Sequence, residues 1–103
     1  MSSALTGRTF DLDLGAFVPR LTFHPASRMR VQAQIGDTVI DETVDIGLTT
    51  IRPGIFLVNW TESSGTFVTQ LQDHETGIVH NLARLPNGKI FTASGAIKEL
   101  SHT

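Results

Sequence analysis

The chain has no cysteine and no tyrosine, and only one tryptophan and four prolines in 103 residues. Without cysteine there is no disulfide and no thiolate metal site, a composition that fits a reducing compartment; the expected location is cytoplasmic. Charge is sparse at 17% of residues, with a formal net charge of -2. There is no basic stripe, so nucleic acid is not an expected partner. No apolar run approaches the ~20 residues that span a bilayer, so no membrane partner is expected either. The start, "MSSALTGRTF", lacks the basic region and apolar core of a signal peptide. Low charge beside 40% hydrophobic content leaves many neutral polar side chains to be placed. A polar-lined cavity is one place for them.

What is present reads as strands and turns. The length suits one small domain. Residues 1–7 are small and polar and are expected to be a frayed, flexible start. Residues 8–100 are the expected folded domain. "TFDLDL" alternates, with Phe10, Leu12 and Leu14 on one face. "RMRVQAQI" puts Met29, Val31, Ala33 and Ile35 opposite Arg28, Arg30, Gln32 and Gln34. "TVIDETVDIGLTTI" is one long strand or two short ones, with Gly47 as a bulge or bend. Turns are expected at Gly36-Asp37, Pro53-Gly54, Ser63-Ser64-Gly65, His74 to Gly77 and Asn87-Gly88. Every connection is too short for a crossover helix. The expected fold is therefore all-β: about eight antiparallel strands in an up-and-down meander, closed into a small barrel because closure removes the open edges. An open sandwich is the alternative.

Two strands do not alternate strictly. Residues 54–62 place Phe56, Val58, Trp60 and Glu62 on one face and Ile55, Leu57, Asn59 and Thr61 on the other. Residues 65–73 place Val68, Gln70 and Gln72 opposite Phe67, Thr69 and Leu71. Apolar residues on both faces have two explanations: an inner face lining a cavity, or an outer face packed on another subunit.

The candidates for chemistry are few. Glu62 is either a solvated charge at a hairpin or an inward carboxyl in an apolar setting that suits it to proton transfer. His24, His74, His80 and His102 show no metal-ligand spacing, so neither a metal nor a cofactor is expected. Alternation puts Arg28 and Arg30 on the outer face, while Arg52 lies near a barrel mouth. Ser63 and Ser64 have no nucleophile elbow around them.

The stretch "IRPGIFLVNWTESSGTFVTQLQD" resembles the MoaF-like domains, through Gly54, Phe56, Val58, Trp60, Glu62, Gly65 and Thr66. These are calycin-type, lipocalin-like barrels, related more distantly to the bacterial phenolic acid decarboxylases. The resemblance implies an eight-stranded calycin-like barrel in which Glu62 points inward. It makes Trp60 part of the cavity wall and Val68, Gln70, Asn81 and Ala83 its neighbours. A histidine of the decarboxylases falls where His80 falls. The decarboxylases also use tyrosines on the first strand and an arginine where this chain has Val39. With no tyrosine and Val39 at that place, phenolic acid decarboxylation is not expected.

Three functions follow. The first is binding of a small apolar or aromatic molecule, oriented by Glu62, with Trp60, Phe56, Val58, Val68, Gln70 and Asn81 around it. The second is a lyase, isomerase or cyclase with Glu62 as general acid or base. The third is a structural or interaction module forming a homodimer through its two-sided strands.

Overall fold

A computed structural model describes residues 4–100. It contains nine strands: β1 (Thr9–Asp13), β2 (Arg20–His24), β3 (Arg28–Ile35), β4 (Thr38–Asp45), β5 (Gly47–Arg52), β6 (Ile55–Thr61), β7 (Phe67–Asp73), β8 (Ile78–Arg84) and β9 (Ile90–Glu99). All pairings are antiparallel, in one sheet of order β4-β3-β2-β1-β9-β8-β7-β6-β5. Among the described residues no helix is long and apolar enough to cross a membrane.

The strand count corrects the expected eight. "TVIDETVDIGLTTI" divides into β4 and β5 at Ile46, whose amide donates to Ser27 O at 2.9 Å. That bond extends the β3–β4 register by one more pair, and the next residue, Gly47, already pairs with Asn59 of β6. The second correction concerns closure. β4 and β5 are the two ends of the sheet and no ladder joins them. A side chain bridges the gap instead: Glu42 of β4 accepts from Ser63 N at 2.8 Å and Ser63 Oγ at 2.7 Å, just past β6.

The sheet wraps one hydrophobic core. Alternation sends Phe10 and Leu12, Leu21 and Phe23, Met29 and Val31, Val44, then Phe56, Val58 and Trp60, Val68 and Val79 to the same side. Full burial of each such side chain contributes about 1.5–3 kcal/mol. The flexible start expected over residues 1–7 lies partly outside the described residues. Leu5 is fully buried in this core, and Gly7 N donates to Phe23 O at 2.8 Å. A single leucine among small residues is enough to tie the segment down.

The outside of the sheet has two characters. Over β1–β4 it is charged, with Arg20–Asp11 and Arg30–Asp41 paired at 2.8 Å and Arg28–Asp45 at 3.5 Å. These pairs are exposed and screened by solvent, so they add little to stability. Arg28 and Arg30 lie on the outer face, as alternation requires.

Candidate functional site

The inner face is sealed at one end and open at the other. On β3 the inward residues run from Met29 at 0% exposed through Val31 at 3% to Ile35 at 45%. The same trend holds on β7 from Gln72 through Gln70 to Val68, and on β8 from Val79 through Asn81 to the half-buried Ala83. Register aligns these positions into inward rows. Trp60, Val68, Ala83 and Phe91 form the row nearest the open end, and Phe91 is 58% exposed. Below it lie Val58, Gln70, Asn81 and Ala93, and below those Phe56, Gln72, Val79 and Gly95.

The opposite end is capped. Arg8 donates through Nε and Nη2 to the two carboxylate oxygens of Glu99, both at 2.8 Å, and its guanidinium lies 5.2 Å from the centroid of Phe10. The His74 ring stands edge-on to Phe10 and Phe56, at centroid distances of 4.7 and 5.5 Å. With Leu5 these groups exclude water from that end.

At the open end the tryptophan meets a carboxyl group. Trp60 is buried and its indole Nε1–H donates to Glu62 Oε2 at 3.3 Å. Glu62 follows β6 and is held by a tight turn, with Glu62 N bonded to Thr66 O and Gly65 N to Glu62 O. Burial pushes the Glu62 carboxyl above its ordinary value; the Trp60 hydrogen bond opposes this, and the Glu42 charge adds to it. Glu42 shares the inward face of β4 with Ile40 and Val44 and is fixed by its two bonds from Ser63. The result is a partly buried carboxyl that holds its proton more tightly than a free glutamate does, beside a second carboxyl with committed partners. Such a carboxyl can accept a hydrogen bond when ionised and donate one when protonated, which suits it to proton transfer.

A polar chain runs through the core from the open end to the sealed one. Gln70 Nε2 donates to Asn81 Oδ1 at 2.9 Å, and Gln72 Nε2 donates to Gln70 Oε1 at 2.8 Å. Gln72 Oε1 lies 2.9 Å from His74 Nε2. The amide directions fix the imidazole: Gln72 offers an oxygen, so Nε2 carries the proton. Burial pulls the His74 pKa down, Arg8 adds to the effect, and Glu99 and Asp73 oppose it, so the neutral ring is favoured. Among the described residues, no buried side-chain nitrogen or oxygen lacks a hydrogen bond.

The residues singled out from sequence therefore share one face. Trp60 and Val68 reach the open end, Val58, Gln70 and Asn81 lie in the row beneath them, and Phe56 is packed deeper in the core. His80 is elsewhere: it is exposed on the outer face, with Nδ1 2.8 Å from Ser94 Oγ. His102 lies outside the described residues. Sequence reasoning missed three members. Glu42 was readable from its alternation with Ile40 and Val44, and Gln72 from its phase with Gln70. His74 carried no signal, because its turn position hides the inward ring. Separately, an open groove of about 310 Å3 between Val18, Arg20, Gln34 and Val39 does not include Trp60 or Glu62. Among the described residues no group of His, Cys, Asp or Glu could hold a metal ion.

Comparison with known proteins bears on the fold and the family. The chain superimposes on a crystal structure of a Burkholderia vietnamiensis protein given a provisional β-lactamase name, with a TM-score of 0.90. The match covers 97% of this chain and 99% of that one at 12% identity, which shows a shared fold and nothing more. No curated protein matches the chain. The family model described as MoaF-like matches residues 6–98, which include every residue of the open end and of the buried polar chain. The chain belongs to the MoaF-like family.

Proposed function

We propose that the domain binds a small apolar or aromatic molecule at the open end of its sheet, which serves as a calycin-like barrel bridged at its seam by Glu42 and Ser63. The observation that carries this reading is the graded exposure of the inward rows, with Trp60 and Glu62 where the gradient opens. Trp60, Val68, Ala83 and Phe91 offer an apolar wall, and Asn81 a polar floor. Glu62 and Glu42 favour a ligand that brings a hydrogen-bond donor or a positive charge rather than a carboxylate. The β-lactamase name of the structural neighbour is not carried over, because this chain contains no Ser-x-x-Lys.

The test uses N-phenyl-1-naphthylamine, a neutral aromatic amine whose emission rises in apolar sites. The wild-type protein is expected to enhance its emission and to show quenching of Trp60. Glu62→Gln replaces the carboxyl with an amide that offers one oxygen acceptor instead of two, and weakens binding about 10-fold. Ala83→Trp fills the mouth and abolishes binding. No enhancement with the wild type, or unchanged binding by Ala83→Trp, contradicts the proposal.

A second reading rests on the raised pKa of Glu62. A carboxyl whose pKa is raised by burial suits general acid or base chemistry, so a lyase, isomerase or cyclase reaction fits the same site. Under this reading Glu62→Gln retains ligand and loses turnover.

A further inference from the structure

The outer face of β5–β9 differs sharply from that of β1–β4. Leu57, Leu71, His80 and Ser94 form one outward row across β6–β9, and Thr49 continues it on β5. Asn59, Thr69, Leu82 and Thr92 form the next. Neither row holds an Asp, Glu, Lys or Arg. Charges return only at the borders, with Arg84 opposite Phe67 and Asp73 opposite Ile78. Phe67, Leu82, Leu71 and Ile78 zigzag down β7 and β8 as diagonal neighbours, each between 37% and 43% exposed. By contrast, the outer face of β1–β4 carries three ion pairs.

We infer that this face is an interface between two copies of the chain, related by a two-fold axis near Leu71 and Leu82. Three observations commit it to a second copy. A two-fold interface sets a patch against itself, which like charges oppose and a charge-free patch permits. Five strands about 4.8 Å apart and about seven residues long cover roughly 550 Å2. Two copies then bury roughly 1,100 Å2, above the ~1,000 Å2 expected of a specific interface. The composition also fits: an apolar centre, threonine and serine around it, and charges at the rim. The face points away from Trp60 and Glu62, so this inference stands apart from the ligand reading.

Light scattering after size exclusion tests it. At about 100 µM, well above the Kd of a standard interface, the wild type is expected at twice the chain mass of 11.2 kDa. Leu82→Arg sets two charges against each other across the axis and yields the monomer, with native circular dichroism. Leu71→Arg is the second variant, with the same expectation. Gln32→Arg, on the charged flank, leaves the dimer intact. A wild-type monomer at this concentration overturns the inference. So does a folded Leu82→Arg or Leu71→Arg variant that remains dimeric.

Discussion

Gly95→Ala is expected to lower stability by about 3 kcal/mol, or about 15 °C in Tm. Gly95 lies on the inward face of β9, opposite Val79. The chain leaves β1 directly across it, so that a Cβ at this position would overlap the Asp13 carbonyl oxygen and crowd Leu14 Cα at 3.3 Å. Both neighbours are backbone and cannot rotate away. Relief requires β1 to lift from β9, and that pairing joins the two halves of the sheet. Thermal unfolding by circular dichroism checks it. An unchanged Tm would show that β1 does not cross β9 here. Gly47→Ala makes a useful contrast: its nearest neighbour is the Asn59 side chain at 2.7 Å, which can swing out.

Gln70→Leu is expected to cost about 3 kcal/mol although leucine is close in volume. Gln70 is 2% exposed and links Asn81 to Gln72 in the polar chain. Its loss leaves Asn81 Oδ1 without a donor and Gln72 Nε2 without an acceptor, both in a core that excludes water. The physical test lies in the non-additivity. In the double variant Gln70→Leu, Gln72→Leu the orphaned Gln72 amide is gone, so urea unfolding should show a loss smaller than the sum of the single losses. Additive losses would mean that the two glutamines do not share a network.

Much of the fold was legible because alternation is a local signal. Met29 and Val31 face inward as alternation requires; Phe56, Val58, Trp60, Val68 and Gln70 also face inward, a choice that the two-sided pattern of their strands leaves open. The turns at Gly36, Gly65, Gly77 and Gly88 fall where glycine permits a positive φ. What was not legible depends on contacts distant in sequence. The break between β4 and β5 falls where Gly47 leaves β3 for Asn59 of β6, and the seam is bridged by Ser63 reaching Glu42. The pattern of β6 alone leaves Glu62 undecided between solvent and pocket; the indole of Trp60 and the neighbouring β4 strand give it a partly buried place. Leu5 and His74 were hidden for a related reason. Each lies outside a strand, where no period tells which way a side chain points.

The site account rests on one carboxyl, and the single tryptophan reports on it. The fold favours protonated Glu62, so its stabilising effect is present at acid pH and is lost as pH rises through the raised pKa. The Trp60 indole donates to that carboxyl, so its 1H–15N resonance senses the titration directly. A pH titration of this one cross-peak, with Glu62→Gln as control, is the most direct measurement. The expected result is a sigmoidal shift whose midpoint lies above the ordinary glutamate range and which disappears in the variant. A midpoint within or below that range, or a shift that persists in Glu62→Gln, would place Glu62 in solvent and contradict the account.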